Sequence, residues 1–141
     1  MKLTWQWCAL GSAFFAAATT VLAKVGVRGI DSNLATAVRT TVVLVFAWVV
    51  CFLTNRPPAL LDLSRRNWLF LGLSGLATGL SWLCYFRALQ MGDASRVAPI
   101  DKLSVVFVLI FAVIFLGESL TWKTGLGGGL IVAGAVVLAL K

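Results

Sequence analysis

Four ionisable residues of this chain, Lys24, Arg39, Asp101 and Lys102, fall inside or at the rims of long apolar runs. An ionisable side chain near the centre of a bilayer costs at least about 2.5–3.5 kcal/mol on insertion scales, so each requires a reason to be there. One reason is chemical: a net-positive layer with a single carboxylate attracts an anionic group of a substrate, or Asp101 exchanges a proton as coupling ion. The other is structural: lysine and arginine snorkel along their stems to the interface, and Asp101 neutralises Arg39 or a neighbouring lysine. Ser74, Thr78, Ser81 and Tyr85 recur at helical spacing and share one weakly polar face. Beside them run Trp82, Tyr85, Phe86 and Leu89, either as the aromatic wall of a substrate path or as packing. The candidates for substrate binding or coupling are therefore Lys24, Arg39, Ser81, Trp82, Tyr85, Asp101 and Lys102. Catalysis lacks its usual participants, since the chain has no His, no Ser-base pair and no motif of metal-binding carboxylates. Cys8, Cys51 and Cys84 lie within apolar runs rather than in CxxC or Cys/His spacing. No enzyme, metal site, disulfide framework or cofactor is expected.

The elements that must position these groups follow from composition. The chain has 141 residues, of which 60% are hydrophobic and 12% charged; a soluble domain is roughly 45–50% apolar and roughly 25% charged. So short a chain keeps too much surface to hide that excess in a core, so lipid is its solvent. A helix needs about 20 mostly apolar residues to cross about 30 Å of hydrocarbon. Five stretches qualify, at about 5–23, 34–53, 68–89, 97–116 and 124–140. The expected architecture is an all-α membrane protein, a single domain over residues 1–141 with five transmembrane helices and no room for a soluble domain. Turn chemistry separates the spans at Arg28–Asn33, Asn55–Pro58 and Met91–Arg96, while Asp62–Arg66 reads as an amphipathic interfacial loop. Trp5, Trp7, Trp68 and Trp122 near span ends fit an interfacial belt. The first apolar stretch exceeds the ~7–15 residues of a signal-peptide core and is read as a retained helix.

A net charge of +7 would suggest nucleic acid in a soluble protein, but these basic residues punctuate the spans and suit lipid headgroups instead. Loop charge does not choose an orientation. On the N-terminal side lie Lys2, Arg56, Arg65, Arg66 and Lys123; on the other lie Lys24, Arg28, Arg87, Arg96 and Lys141. Either the helices are oriented by something other than loop charge, or the chain inserts both ways and two copies pair antiparallel. Because the helices carrying them approach from one membrane side, Lys24, Arg39, Arg87, Asp101 and Lys102 are expected to form one layer. Gly75 and Gly79 in the third span, and Gly125 and Gly129 in the fifth, are the small residues expected to let helices approach, within the bundle or between protomers. Gly127–Gly129 lacks the Lys-Ser/Thr of a phosphate loop.

The segments Ala17–Lys24, Ala35–Thr40, Tyr85–Leu89, Ala94–Pro99 and Leu116–Thr121, followed by Gly125 and Leu130–Gly134, together resemble one EamA domain of the drug/metabolite transporter superfamily. The resemblance covers nearly the whole chain. It implies one half of an inverted-repeat, ten-helix transporter that exports amino acids or other metabolites. The second half would come from another copy or from a small paralogous subunit. By the same resemblance Lys24 closes the first helix, Arg39 stands early in the second, Pro99 opens the fourth, and Glu118 follows its Leu-Gly end. Asp101-Lys102 departs from the pattern, where many relatives are apolar after the proline. The reading is a small multipass exporter or exchanger in the plasma (inner) membrane, with a small-molecule substrate and alternating access. A lipid-linked carrier flippase subunit and a non-transporting membrane scaffold are the alternatives.

Overall fold

In lipid a backbone without water must satisfy its polar groups internally, and an isolated apolar run of span length does so as a helix. The computed structural model describes residues 4–54 and 63–140. Among these residues lie six helices and no strand: α1 (Trp5–Gly26), α2 (Ser32–Thr54), α3 (Arg65–Met91), α4 (Ala94–Asp101), α5 (Ser104–Leu116) and α6 (Trp122–Ala139). With α4 and α5 taken together as Ala94–Leu116, five segments are long and apolar enough to cross a membrane. The five expected spans are all present.

Their ends follow local chemistry. After α1, Gly29 takes a positive φ of 74°. Asp31 then caps α2, its Oδ1 accepting from the amides of Asn33 at 2.9 Å and Leu34 at 3.1 Å. α3 begins three residues earlier than its hydropathy suggests, because Ser64 Oγ accepts from the amide of Asn67 at 3.2 Å. Arg65 and Arg66 therefore belong to a helical turn and not to an interfacial loop. The expected turn at Asn55–Pro58, and Asp62, lie outside the described residues. The third connection shrinks to Gly92 and Asp93, which places Arg96 inside the first turn of α4. Gly117, at φ 68°, ends α5, and the amide of Glu118 folds back onto the carbonyl of Ala112 at 3.1 Å. Thr121 and Thr124 then cap α6 reciprocally: each hydroxyl accepts from the other's amide, at 3.2 and 2.8 Å.

The fourth span departs from the expected continuous helix over 97–116. Pro99 lacks the N–H that would bond the carbonyl of Ser95, and its ring crowds that turn. Just beyond, the ladder tightens from i−4 to i−3. The Lys102 amide is shared between the carbonyls of Ala98 at 3.3 Å and Pro99 at 3.1 Å, and then Leu103 donates to Ile100 at 3.0 Å, Val105 to Lys102 at 3.1 Å and Val106 to Leu103 at 2.9 Å. Such a 3₁₀ stretch inside a span divides it into α4 and α5.

The helices group into two compact units, residues up to Lys24 with those from Met91 onward, and Val25–Gln90. In the first, α4 and α5 both pack on α6. Gly128, Ala112 and Ala135 are buried there. A Cβ on Gly128 would stand 3.1 Å from Leu109 Cδ1, so the close approach falls on this glycine. Beside Gly75, Gly79, Gly125 and Gly129 a Cβ would meet nothing within 4 Å among the described residues. In the second unit Gln90 Nε2 donates to the carbonyl of Ile30 at 2.7 Å, fastening the end of α3 to the turn that precedes α2. Val27, Ser32, Ala35, Thr36, Phe86 and Leu89 are buried in this unit. Most other large apolar side chains are exposed, among them Phe14, Phe46 and Phe115, a surface suited to lipid or to another apolar chain.

Candidate functional site

Within the Val25–Gln90 unit, α2 contributes Arg39 and α3 contributes Trp82 and Phe86. The two aromatics stand four residues apart and so share a helix face. The Arg39 guanidinium lies 4.2 Å from the centroid of the Trp82 ring and 5.6 Å from that of Phe86. Arg39, Trp82 and Tyr85 are half-buried, Phe86 is buried and Ser81 is exposed. The sequence brings Arg39 and Trp82 forward as separate candidates, and the structure joins them. Phe86 is the member that sequence reading leaves in the packing stripe. Its signal is the i, i+4 relation to Trp82.

The ring contacts have a definite limit. A desolvated cation–π contact contributes about 2 kcal/mol or more. The insertion cost of an arginine starts at about 2.5–3.5 kcal/mol, and ring faces accept none of its five N–H donors in a directed hydrogen bond. Among the described residues Arg39 makes these ring contacts but no hydrogen bond or ion pair. Arg87, expected in the same layer, is otherwise engaged: its Nη1 donates to Gln90 Oε1 at 2.8 Å. The hydroxyl face on α3 is partly self-satisfied, because Thr78 Oγ1 donates to the carbonyl of Ser74 at 2.9 Å.

In the other unit, Lys24 Nζ donates to the carbonyl of Gly92 at 2.8 Å. That carbonyl follows the last turn of α3, where helix carbonyls lack intrahelical partners. Asp101 takes Lys102 as its partner, with Oδ2 3.4 Å from Nζ. Neighbours in a continuous helix do not face one another, and this pair forms where the ladder tightens. The Asp101 and Lys102 side chains are 38% and 58% exposed, so the pair is a weak one. The stem of Lys102, with Ala98, Pro99, Gly134 and Leu138, lines an open depression of about 400 Å³. A second depression of about 400 Å³ between α5 and α6 is lined by Val106, Leu109, Val113, Gly125, Gly128 and Val132 among others, and is apolar. No group of three or more His, Cys, Asp or Glu side chains among the described residues could hold a metal ion.

Apolar spans carrying a few charges at membrane depth, one of them broken, define a multi-pass membrane protein. The chain belongs to the EamA-like transporter family, whose model matches residues 3–140. It is 54% identical over 140 residues to a protein of Sinorhizobium sp named "Uncharacterized transporter in cobO 3'region", covering 99% of each chain. It is 32% identical over 136 residues to human "Solute carrier family 35 member G1", covering 94% of this chain and 36% of the human one. No solved structure matches. The protein is a membrane transporter.

Proposed function

We propose that this transporter moves a small organic solute across the plasma membrane by alternating access. Its working unit pairs two five-span segments of opposite orientation, as two copies of this chain or as this chain with a small relative. The supporting observation is one of length. The matched segment fills only 36% of the human solute carrier, which therefore has room for two such segments, yet it fills 99% of the bacterial transporter. For a transporter of that bacterial relative's length, the second half of an inverted pair comes from another chain, and the same pairing is read for this one. The balance of five basic residues on either side is what insertion in both orientations requires.

In this reading Arg39, Ser81, Trp82 and Tyr85 contact the solute. Asp101 and Lys102, at the break of the fourth span, supply coupling, and Lys24 contributes positive charge near the end of α1. Half-helix ends and loosened backbone at membrane depth are the features transporters use to build ion and substrate sites. The test fuses a reporter active on only one membrane side to the C-terminus, and in parallel a reporter active on only the other. Both should be active. Activity of one alone overturns the symmetric antiparallel homodimer. Purified protein in liposomes should exchange labelled solute, and a panel of amino acids, organic anions and organic cations that gives no flux under any gradient overturns transport.

A further inference from the structure

We infer that Arg39, held on the faces of Trp82 and Phe86, is the anchor for a carboxylate, and that the transported solute is a monoanion with an apolar or aromatic body. The inference rests on the transport reading above and specifies its substrate class.

The geometry supplies the first step. The Arg39 guanidinium carbon lies 4.2 Å from the Trp82 ring centroid, and no described residue accepts a hydrogen bond from its N–H groups, which leaves them available to an outside acceptor. Those groups form a fork matched to the two oxygens of a carboxylate. The other basic groups expected in the same layer from the sequence already have protein acceptors. Lys102 has Asp101, Lys24 has the Gly92 carbonyl, and Arg87 has Gln90. Of these four cations, Arg39 is the one with ring contacts and no hydrogen-bond acceptor among the described residues.

Charge arithmetic then selects the ligand. One guanidinium neutralises one negative charge, so a phosphate dianion would leave a net charge in a poorly solvating site. A zwitterion or an organic cation would need a carboxylate nearby for its ammonium. Among the described residues of Val25–Gln90 the acidic group is Asp31, and its Oδ1 is committed to the amides of Asn33 and Leu34. The remaining wall near Arg39 is aromatic, through Trp82, Tyr85 and Phe86, which suits an apolar body rather than a polyhydroxylated one.

Four probes of the same shape and different charge test this: benzoate, phenyl phosphate, phenylalanine and benzylamine. Their binding is measured by calorimetry on the full chain in detergent, and their flux separately in liposomes. Benzoate should bind saturably and at least tenfold more tightly than each of the others. Arg39→Gln should weaken benzoate at least tenfold, Arg39→Lys less, and Trp82→Leu several-fold. A preference for phenylalanine, benzylamine or phenyl phosphate overturns the inference, as does no saturable binding of any probe, or benzoate binding unchanged in Arg39→Gln. Should Arg39→Gln fail to fold, the charge preference of the unaltered protein decides the matter alone. Arg39-dependent benzoate binding without flux of any solute would sustain the anion site and overturn transport. Flux of other solutes with no benzoate site would do the reverse.

Discussion

Replacing Gly128 with alanine examines the contact on which the α5–α6 packing turns. An alanine Cβ would stand 3.1 Å from Leu109 Cδ1, whereas non-bonded carbons settle at about 3.5–4.0 Å, so one side must give by roughly half an ångström. Forcing a methyl into a packed site costs about 1–3 kcal/mol. Against this, alanine is favoured over glycine in a helix by about 0.8–1.0 kcal/mol. Gly127→Ala gains the same propensity without the clash, since a Cβ there meets nothing within 4 Å. Gly128→Ala should therefore be less stable than Gly127→Ala by about 1–3 kcal/mol, read from unfolding midpoints in SDS titrations of mixed micelles. A double variant with Leu109→Ala should recover part of the loss, because the clashing methyl is gone. If the two glycine variants agree within about 0.5 kcal/mol, the usual spread of neutral substitutions, the tight contact is not what shapes this interface.

Asp101→Asn breaks a pair that is 38% and 58% exposed, so stability should fall by no more than about 1 kcal/mol. Flux in liposomes should drop at least tenfold if Asp101 carries the coupling ion; unchanged flux refutes that role, and failure to assemble marks a structural ion pair. Pro99→Ala restores a donor for the Ser95 carbonyl and should slow amide exchange across residues 100–105; unchanged exchange removes proline as the cause of the break. Thr121→Val deletes one half of the reciprocal cap on α6, the hydroxyl that accepts from the Thr124 amide, and should cost about 0.5–2 kcal/mol in the same SDS titration, with Ser119→Ala as a control of no effect. Arg39→Met should leave stability equal or higher, because an incompletely satisfied cation leaves the membrane interior; a loss above about 2 kcal/mol would show that its ring contacts hold the unit together.

Hydropathy alone locates all five spans, because the hydrocarbon thickness fixes both their length and their polarity. It reads the ends less well. α3 begins at Arg65, where Ser64 Oγ accepts from the amide of Asn67, and α4 at Ala94, where Asp93 stands at the N-cap without a side-chain hydrogen bond; both first turns are polar, and hydropathy discounts polar turns. The break after Pro99 was legible in principle, since the proline stands in plain view, but its consequence appears three residues downstream, where the ladder tightens. Glycine spacing leaves a different question open. Gly125 and Gly129 satisfy the small-xxx-small pattern, yet which glycine meets a neighbour depends on helix rotation, and α5 meets Gly128. At the site, sequence supplies Arg39 and Trp82 but not their contact, because the pairing of α2 with α3 sets which turns stand opposite.

The two ways in which charge is accommodated here have different consequences. Asp101 and Lys102 cancel each other, and their partial exposure lets the membrane interface or neighbouring polar backbone share the cost. Such a pair adds no net charge, so it can hold the loosened turn between α4 and α5 without favouring a solute of either sign. Arg39 keeps its charge. The faces of Trp82 and Phe86 lower the cost of its presence but leave the guanidinium edge to be satisfied from elsewhere. A helix bundle that served only to assemble would gain by replacing such a residue with an apolar one, since buried charge is a poor source of stability. The residual positive charge on α2 thus fits a transporter better than a scaffold, and it does so through the interaction a bound anion would complete.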